Sequence, residues 1–177
     1  MTKDGTPVVV LRSNDVCFLG ILRSLAHAGA TTIPVVFTWP GAKPWYSEAS
    51  RHFRDSVEIP NPYADGEGAA AALEALGRRL FEKHGQRPMV IPSSDTNLMF
   101  LLENFERFAP YFRFIGGKTF HEDRGDVVRK HTCADLLAAA DVSQPKTLAC
   151  LTSADIERVA EEMIYPCVYK PLEKDYG

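Results

Sequence analysis

The chain has 177 residues and a formal charge of −3, with 45% hydrophobic and 24% charged residues. That length can bury a real core, as one domain or one domain plus part of a second, and the composition excludes a disordered polypeptide. The charge is too small to name a partner, and no lysine/arginine cluster is dense enough to track a phosphate backbone, so nucleic-acid binding is not expected.

The N-terminal apolar run Val8-Val9-Val10-Leu11 is followed at once by Arg12. It lacks the long apolar stretch and small-residue cleavage site of a signal peptide. No apolar stretch reaches the roughly 18 residues that a membrane helix requires. Cys17, Cys133, Cys150 and Cys167 stand far apart, with no CxxC pair and no histidine at metal-ligand spacing. These features lead us to expect a cytoplasmic protein whose thiols are reduced and mostly buried.

Taken in order, residues 7–11 form a short β-branched run, the pattern of a strand buried on both faces. Arg12-Ser13-Asn14-Asp15 is a polar turn, after which apolar residues recur at helical spacing from Cys17 to Ala26 and stop at Gly29. Residues 32–37 read as a second strand, although Pro34 within it is a residue that prefers sheet edges and strand starts. The three segments make a β-α-β unit.

A Pro/Gly loop covers 39–45, and 56–60 is a short strand. An alanine- and leucine-rich helix runs from 67 to 83 and ends near Gly85. Residues 88–92 form another buried strand, and Ser93-Ser94-Asp95 offers capping chemistry for a helix from 96 to about 108. Residues 112–115 make a last strand. Strands alternate with helices throughout, which predicts an α/β fold with a parallel sheet and helices on both faces.

The rhythm changes after Gly117, and we set a boundary near residues 117–121, giving units 1–118 and 119–177. In the second, 126–140 is an amphipathic helix, 144–148 an extended connector, a helix begins at 153–157 with Ser153 or Thr152 as its cap, and 165–171 is a short strand bounded by prolines.

Two turns are candidate ligand sites, because open α/β sheets bind ligands at the carboxyl ends of their strands, where helix N-termini present free N–H groups. The first supplies Ser13 and Asn14, the second Ser94 and Asp95. The simpler reading of both turns is a plain capping turn. Neither is a dinucleotide fingerprint, since the first turn contains no glycine before Gly20. Lysines come third: Lys130 on a helix, and Lys170 at the end of the run Tyr165-Pro166-Cys167-Val168-Tyr169-Lys170-Pro171. An ammonium at a strand end suits phosphate oxygens, and a solvated surface charge is the simpler reading of either lysine alone.

The order of these pieces carries a resemblance. A lysine-bearing helix, the connector Asp141-Val142-Ser143-Gln144-Pro145-Lys146-Thr147, a helix and then the Tyr165–Pro171 run resemble the start of an ATP-grasp domain. The opening strand, turn and helix through Leu25, and the turn Ile91-Pro92-Ser93-Ser94-Asp95, resemble the preceding domain of the carboxylate–amine ligase-like members. The likeness covers nearly the whole chain.

It implies a Rossmann-like pre-ATP-grasp domain followed by a partial α+β ATP-grasp subdomain. It also implies ATP and Mg2+ as cofactors, small carboxylate and amine substrates, an acylphosphate intermediate, and Lys130 and Lys170 as the ATP-binding lysines. Arg129 stands where the family usually carries an aspartate. The glycine-rich phosphate loop, adenine hinge and acidic metal ligands of the family would follow Gly177. The expectation is therefore an N-terminal portion of such a ligase, inactive by itself and without metal ligands of its own. Two other readings stand beside it: a binding module that holds a small ligand or a partner subunit without turnover, and, last, a nucleotide-cofactor oxidoreductase. A homo-oligomeric assembly is left open.

Overall fold

The computed structural model describes residues 5–13, 15–38, 40–41, 45–115 and 130–170, with the backbone alone for Asp15, Lys130 and His131. The chain divides into two compact units, Met1–Arg124 and Gly125–Gly177.

The first unit is built on five strands: β1 (Val8–Leu11), β2 (Thr32–Thr38), β3 (Val57–Pro60), β4 (Met89–Pro92) and β5 (Arg113–Phe114). They form one sheet in the order β3-β2-β1-β4-β5, every neighbouring pair parallel. This is the α/β, Rossmann-like architecture that the alternation of strand and helix patterns predicts. β1 lies at the centre, so its residues must be apolar on both sides, and Val9, Val10 and Leu11 are fully buried.

The two-residue alternation of a strand then divides the core. Val9 and Leu11 join Val35, Ile59 and Val90 on one face. That face is covered by α2 (Gly66–His84), α3 (Asp95–Glu103) and α4 (Phe105–Phe108). Ala69, Ala70, Leu73, Leu76 and Leu80 recur at helical spacing along α2 and supply its buried stripe. Val10 turns the other way, against Phe18 and Leu22 of α1 (Asp15–His27), with Phe53 closing the edge of this smaller cluster.

Helix ends follow the chemistry of their residues. Asp65 caps α2 by accepting the Gly68 N–H at 2.8 Å. Gly85 ends it in the left-handed region at φ 66° and donates to the Phe81 carbonyl at 2.8 Å. The single helix expected over 96–108 is instead two. Asn104 leaves helical geometry at φ −109°, and its side chain donates to the Phe100 carbonyl at 3.0 Å. Asparagine competes with the backbone for such bonds, which is why it interrupts the run.

Pro34 sits in β2, a strand with neighbours on both sides. Val8 N–H bonds Thr31 O at 2.8 Å and Arg12 N–H bonds Val35 O at 2.9 Å, while Asn61 N–H bonds Thr38 O at 3.1 Å. This phase points the odd-numbered β2 residues at β1 and the even-numbered ones at β3. The Pro34 nitrogen therefore faces β3, whose pairing begins one residue later, at Val35 opposite Val57. The missing donor falls just outside that ladder, which is how an interior strand accepts a proline.

In the second unit, α5 (Lys130–Ala139) and α6 (Asp155–Glu162) are joined by a connector. Gln144 donates to the Ala134 carbonyl at 2.7 Å, and the Lys146 ammonium to the Glu162 carbonyl at 2.5 Å. The helix expected over 126–140 falls partly outside the described residues, and its described part begins at Lys130. Residues 165–170, expected as a strand, are exposed and carry no strand pairing among the described residues. A single extended segment has no ladder to join unless a second strand is beside it.

The four cysteines form no disulfide with one another. Contrary to the expectation of mostly buried thiols, Cys17 and Cys167 are exposed and Cys133 and Cys150 half-buried. In α1 the inward positions are held by Phe18 and Leu22, which leaves Cys17 on the outer side. Among the described residues, no helix is long and apolar enough to cross a membrane.

Candidate functional site at the carboxyl rim of the sheet

In this strand order the chain runs outward from β1 through β2 to β3, then returns across the sheet to place β4 on the other side of β1. The carboxyl ends of β1 and β4 therefore border the point where the winding reverses, the place where open α/β sheets form a crevice. The register pairs Leu11 with Pro92, so the two turns that follow lie side by side.

They are joined directly. The Ser13 N–H donates to Ser93 Oγ at 3.0 Å, and the two hydroxyls lie 2.9 Å apart. Beneath them, Asn97 donates its side-chain amide to the Leu11 carbonyl at 3.0 Å. Both Ser93 and Asn97 are buried. The hydroxyl of Ser94 faces its own helix and accepts the Asn97 N–H at 3.2 Å, an N-cap for α3. Asp95, exposed in the first turn of α3, places a carboxylate where the helix dipole favours one. Tyr63, in the loop after β3, reaches the first turn of α3 with its hydroxyl 3.4 Å from Thr96 Oγ1.

Arg12 gives the rim its buried cation. Only 6% of its side chain is exposed, and its Nη1 donates to Glu48 Oε1 at 2.7 Å. Glu48 lies on a single 3₁₀ turn, Tyr46–Ala49, in the connection from β2 to β3. The same Glu48 oxygen accepts the Trp45 N–H at 3.2 Å, and the Trp45 ring lies 5.6 Å from the Arg12 guanidinium carbon. A rim with hydroxyls, one exposed carboxylate and one buried guanidinium suits a small polar ligand with charged groups.

None of the known protein-family models matches this chain, and no curated protein matches it.

The sequence-derived site residues thus divide. Ser13 and the second serine turn meet at the rim, with Ser93 rather than Ser94 making the contact across it. Asn14 lies outside the described residues. Lys130 opens α5, its side chain outside the described residues, and Lys170 is exposed in the segment after α6. Among the described residues, no group of three or more His, Cys, Asp or Glu could hold a metal ion.

Asn97 and Glu48 are rim residues that sequence reasoning missed, and Ser93 and Arg12 stand in its two candidate turns without a contact assigned to them. Ser93 and Arg12 sit inside turns that the sequence marks as polar, yet their partners lie 80 and 36 residues away. Position within the turn does not reveal which side chain faces across the rim.

Proposed function

We infer that the first unit binds a small charged or polar ligand at the β1–β4 crevice, and that it is the substrate-side domain of an ATP-dependent carboxylate–amine ligase of the ATP-grasp type. The observation that carries the binding site is the pairing of Ser13 with Ser93 at 2.9–3.0 Å across the ends of two adjacent parallel strands. It lies where the sheet reverses its winding, so ligand groups there meet both hydroxyls and the N-terminal ends of α1 and α3.

The ligase part rests on the order of motifs: the two rim turns, the helix opened by Lys130, the Gln144-Pro145-Lys146-Thr147 connector, and Lys170. In this reading Lys130 and Lys170 hold nucleotide phosphates, where an ammonium offsets the charge of the phosphoryl group. ATP supplies the phosphoryl group that activates a carboxylate for attack by an amine. Magnesium would arrive with the ATP phosphates; no described residue is assigned to it. The mixed charges of the rim support a carboxylate and an amine substrate there, of the size of an amino acid or peptide-like molecule.

The test is an NMR screen of the whole chain with amino acids and other small carboxylates, followed by calorimetry with ATP and magnesium. Ligands that shift the Ser13 and Ser93 amides support the rim, and nucleotide binding lost in Lys170→Ala supports the ligase. Rim ligands without nucleotide binding favour a module that holds its ligand without turnover. No ligand at the rim overturns the site.

A further inference from the structure

We propose that Arg12 is a carboxylate-recognition residue whose guanidinium is held by Glu48 in the place that a ligand carboxylate takes. This deepens the reading above and rests on it in one respect, that the carboxyl rim of β1 is where the ligand binds.

Two arginines of the same unit show the contrast. Arg107, with 29% of its side chain exposed, makes three hydrogen bonds: Nε to Glu74 Oε2 at 2.6 Å, and Nη1 to both oxygens of Glu67 at 2.9 and 3.0 Å. Arg107 thus engages two carboxylates through two of its nitrogens. Arg12 is far more buried, at 6% exposure, yet Glu48 bonds it through one nitrogen and one oxygen only. A buried guanidinium needs anionic partners, and among the described residues Glu48 meets it end-on rather than as a two-oxygen fork.

Glu48 is the more accessible partner of the pair. Its side chain is 34% exposed, and its bonding oxygen is shared with the Trp45 N–H. The turn that carries it is four residues long, and it buries the hydroxyl of Ser47 without a hydrogen-bond partner among the described residues. A buried polar atom left in that state marks a seat that is not fully satisfied. The Arg12 end, in contrast, is fixed: it follows directly on the central strand, and its backbone N–H extends the ladder to Val35. The buried, strand-anchored cation and the more exposed anion define the direction of exchange. An incoming carboxylate replaces Glu48 on Arg12, next to Ser13, and Glu48 moves towards solvent. Its chemistry is that of the group it displaces, which is why the ligand is a carboxylate.

The experiment uses the whole chain with Trp39→Phe, so that Trp45 is the remaining tryptophan of the two. Its emission reports the guanidinium beside its ring. Sodium acetate is the probe, against chloride at equal ionic strength. Glu48→Gln and Glu48→Ala remove the competitor, and acetate then binds saturably and up to about fivefold more tightly than in the parent, the scale of a partly exposed ion pair. Glu48→Asp, with a shorter arm, tests the same direction should the first two unfold. Arg12→Lys keeps the charge without the fork and abolishes the saturable response.

Folded Glu48 variants that show no saturable response to acetate, or a response unchanged by Arg12→Lys, overturn the proposal. A screened ligand that shifts the Ser13 and Ser93 amides with an affinity indifferent to Arg12→Lys also overturns it, and leaves the rim site standing. Acetate binding through Arg12 with no ligand at Ser13 and Ser93 has the opposite meaning: the Arg12 inference holds and the rim reading fails.

Discussion

Asn97, in the first turn of α3, donates its side-chain amide to the carbonyl of Leu11 at the end of β1, 3.0 Å away, with both residues buried. The bond ties the helix that follows β4 to the strand beside it, and so sets the spacing of the two turns that face each other across the crevice. Replacement by leucine keeps the volume and removes the side-chain donor to that carbonyl. We expect Asn97→Leu to lose about 1–3 kcal/mol of stability. Urea unfolding should show a lower midpoint with an unchanged slope; an unchanged midpoint would mean that water or a neighbour replaces the bond.

Adjacent serines in the second turn have different tasks. Ser94→Ala removes the α3 cap and should cost about 1 kcal/mol, while Ser94→Asp keeps an acceptor and stays close to the parent. Ser93→Ala spares the cap and removes the acceptor of the Ser13 N–H. Amide exchange separates the two: Ser94→Ala speeds exchange at Asn97, and Ser93→Ala speeds it at Ser13. The reverse pattern would reverse the assignment.

Gly77 lies in the buried stripe of α2, where glycine is a poor helix former. Its reason is contact: a Cβ built there would meet Phe112 Cε2 at 2.3 Å and Cζ at 2.7 Å. Phe112 is 1% exposed and itself packs edge-on to Phe108, so it has little room to move. Overpacking of this kind costs about 1–3 kcal/mol, more than the roughly 1 kcal/mol gained in helix propensity. Gly77→Ala should therefore destabilise the chain, and Gly77→Ala combined with Phe112→Leu should recover part of the loss. A Gly77→Ala protein more stable than the parent would show that the ring yields freely.

The sheet and its covering helices are legible in the sequence because their determinants are local. Runs such as Val8-Val9-Val10-Leu11 have no polar face to expose, and the Ala/Leu stripe of α2 repeats at one helical period. What is not legible depends on partners far along the chain. The harmlessness of Pro34 follows from where β3 begins to pair, and the end of α3 from one asparagine bond. At the candidate site, the serine turns were visible, but a capping hydroxyl and a crevice hydroxyl are the same chemical group in the sequence. Only the fold separates Ser94 from Ser93. Arg12 looks like a solvated turn residue until the 3₁₀ turn bearing Glu48 and the ring of Trp45 cover it.

The second unit gives a prediction in pH. Asp155, at the start of α6, accepts hydrogen bonds from the Thr152 hydroxyl at 2.9 Å, from the Thr152 N–H at 3.0 Å and from the Leu151 N–H at 3.2 Å, and pairs with Arg158 at 3.1 Å. These partners favour the ionised form, the Thr152 hydroxyl most, then Arg158, and hold the carboxyl at about 2, below its usual 3.8. A depressed folded-state value means that the group's contribution is complete above 3.8, the unfolded value, and is lost as pH falls through about 2. The start of α6 should thus keep its amide protection at pH 5 and lose it progressively between about pH 4 and pH 2. Asp155→Asn retains an acceptor for the turn and cannot titrate, so the part of the loss due to this residue should vanish. A carboxyl-carbon NMR titration reads the value directly. An apparent pKa at or above 3.8 would show that the Thr152–Asp155–Arg158 cluster does not persist in solution.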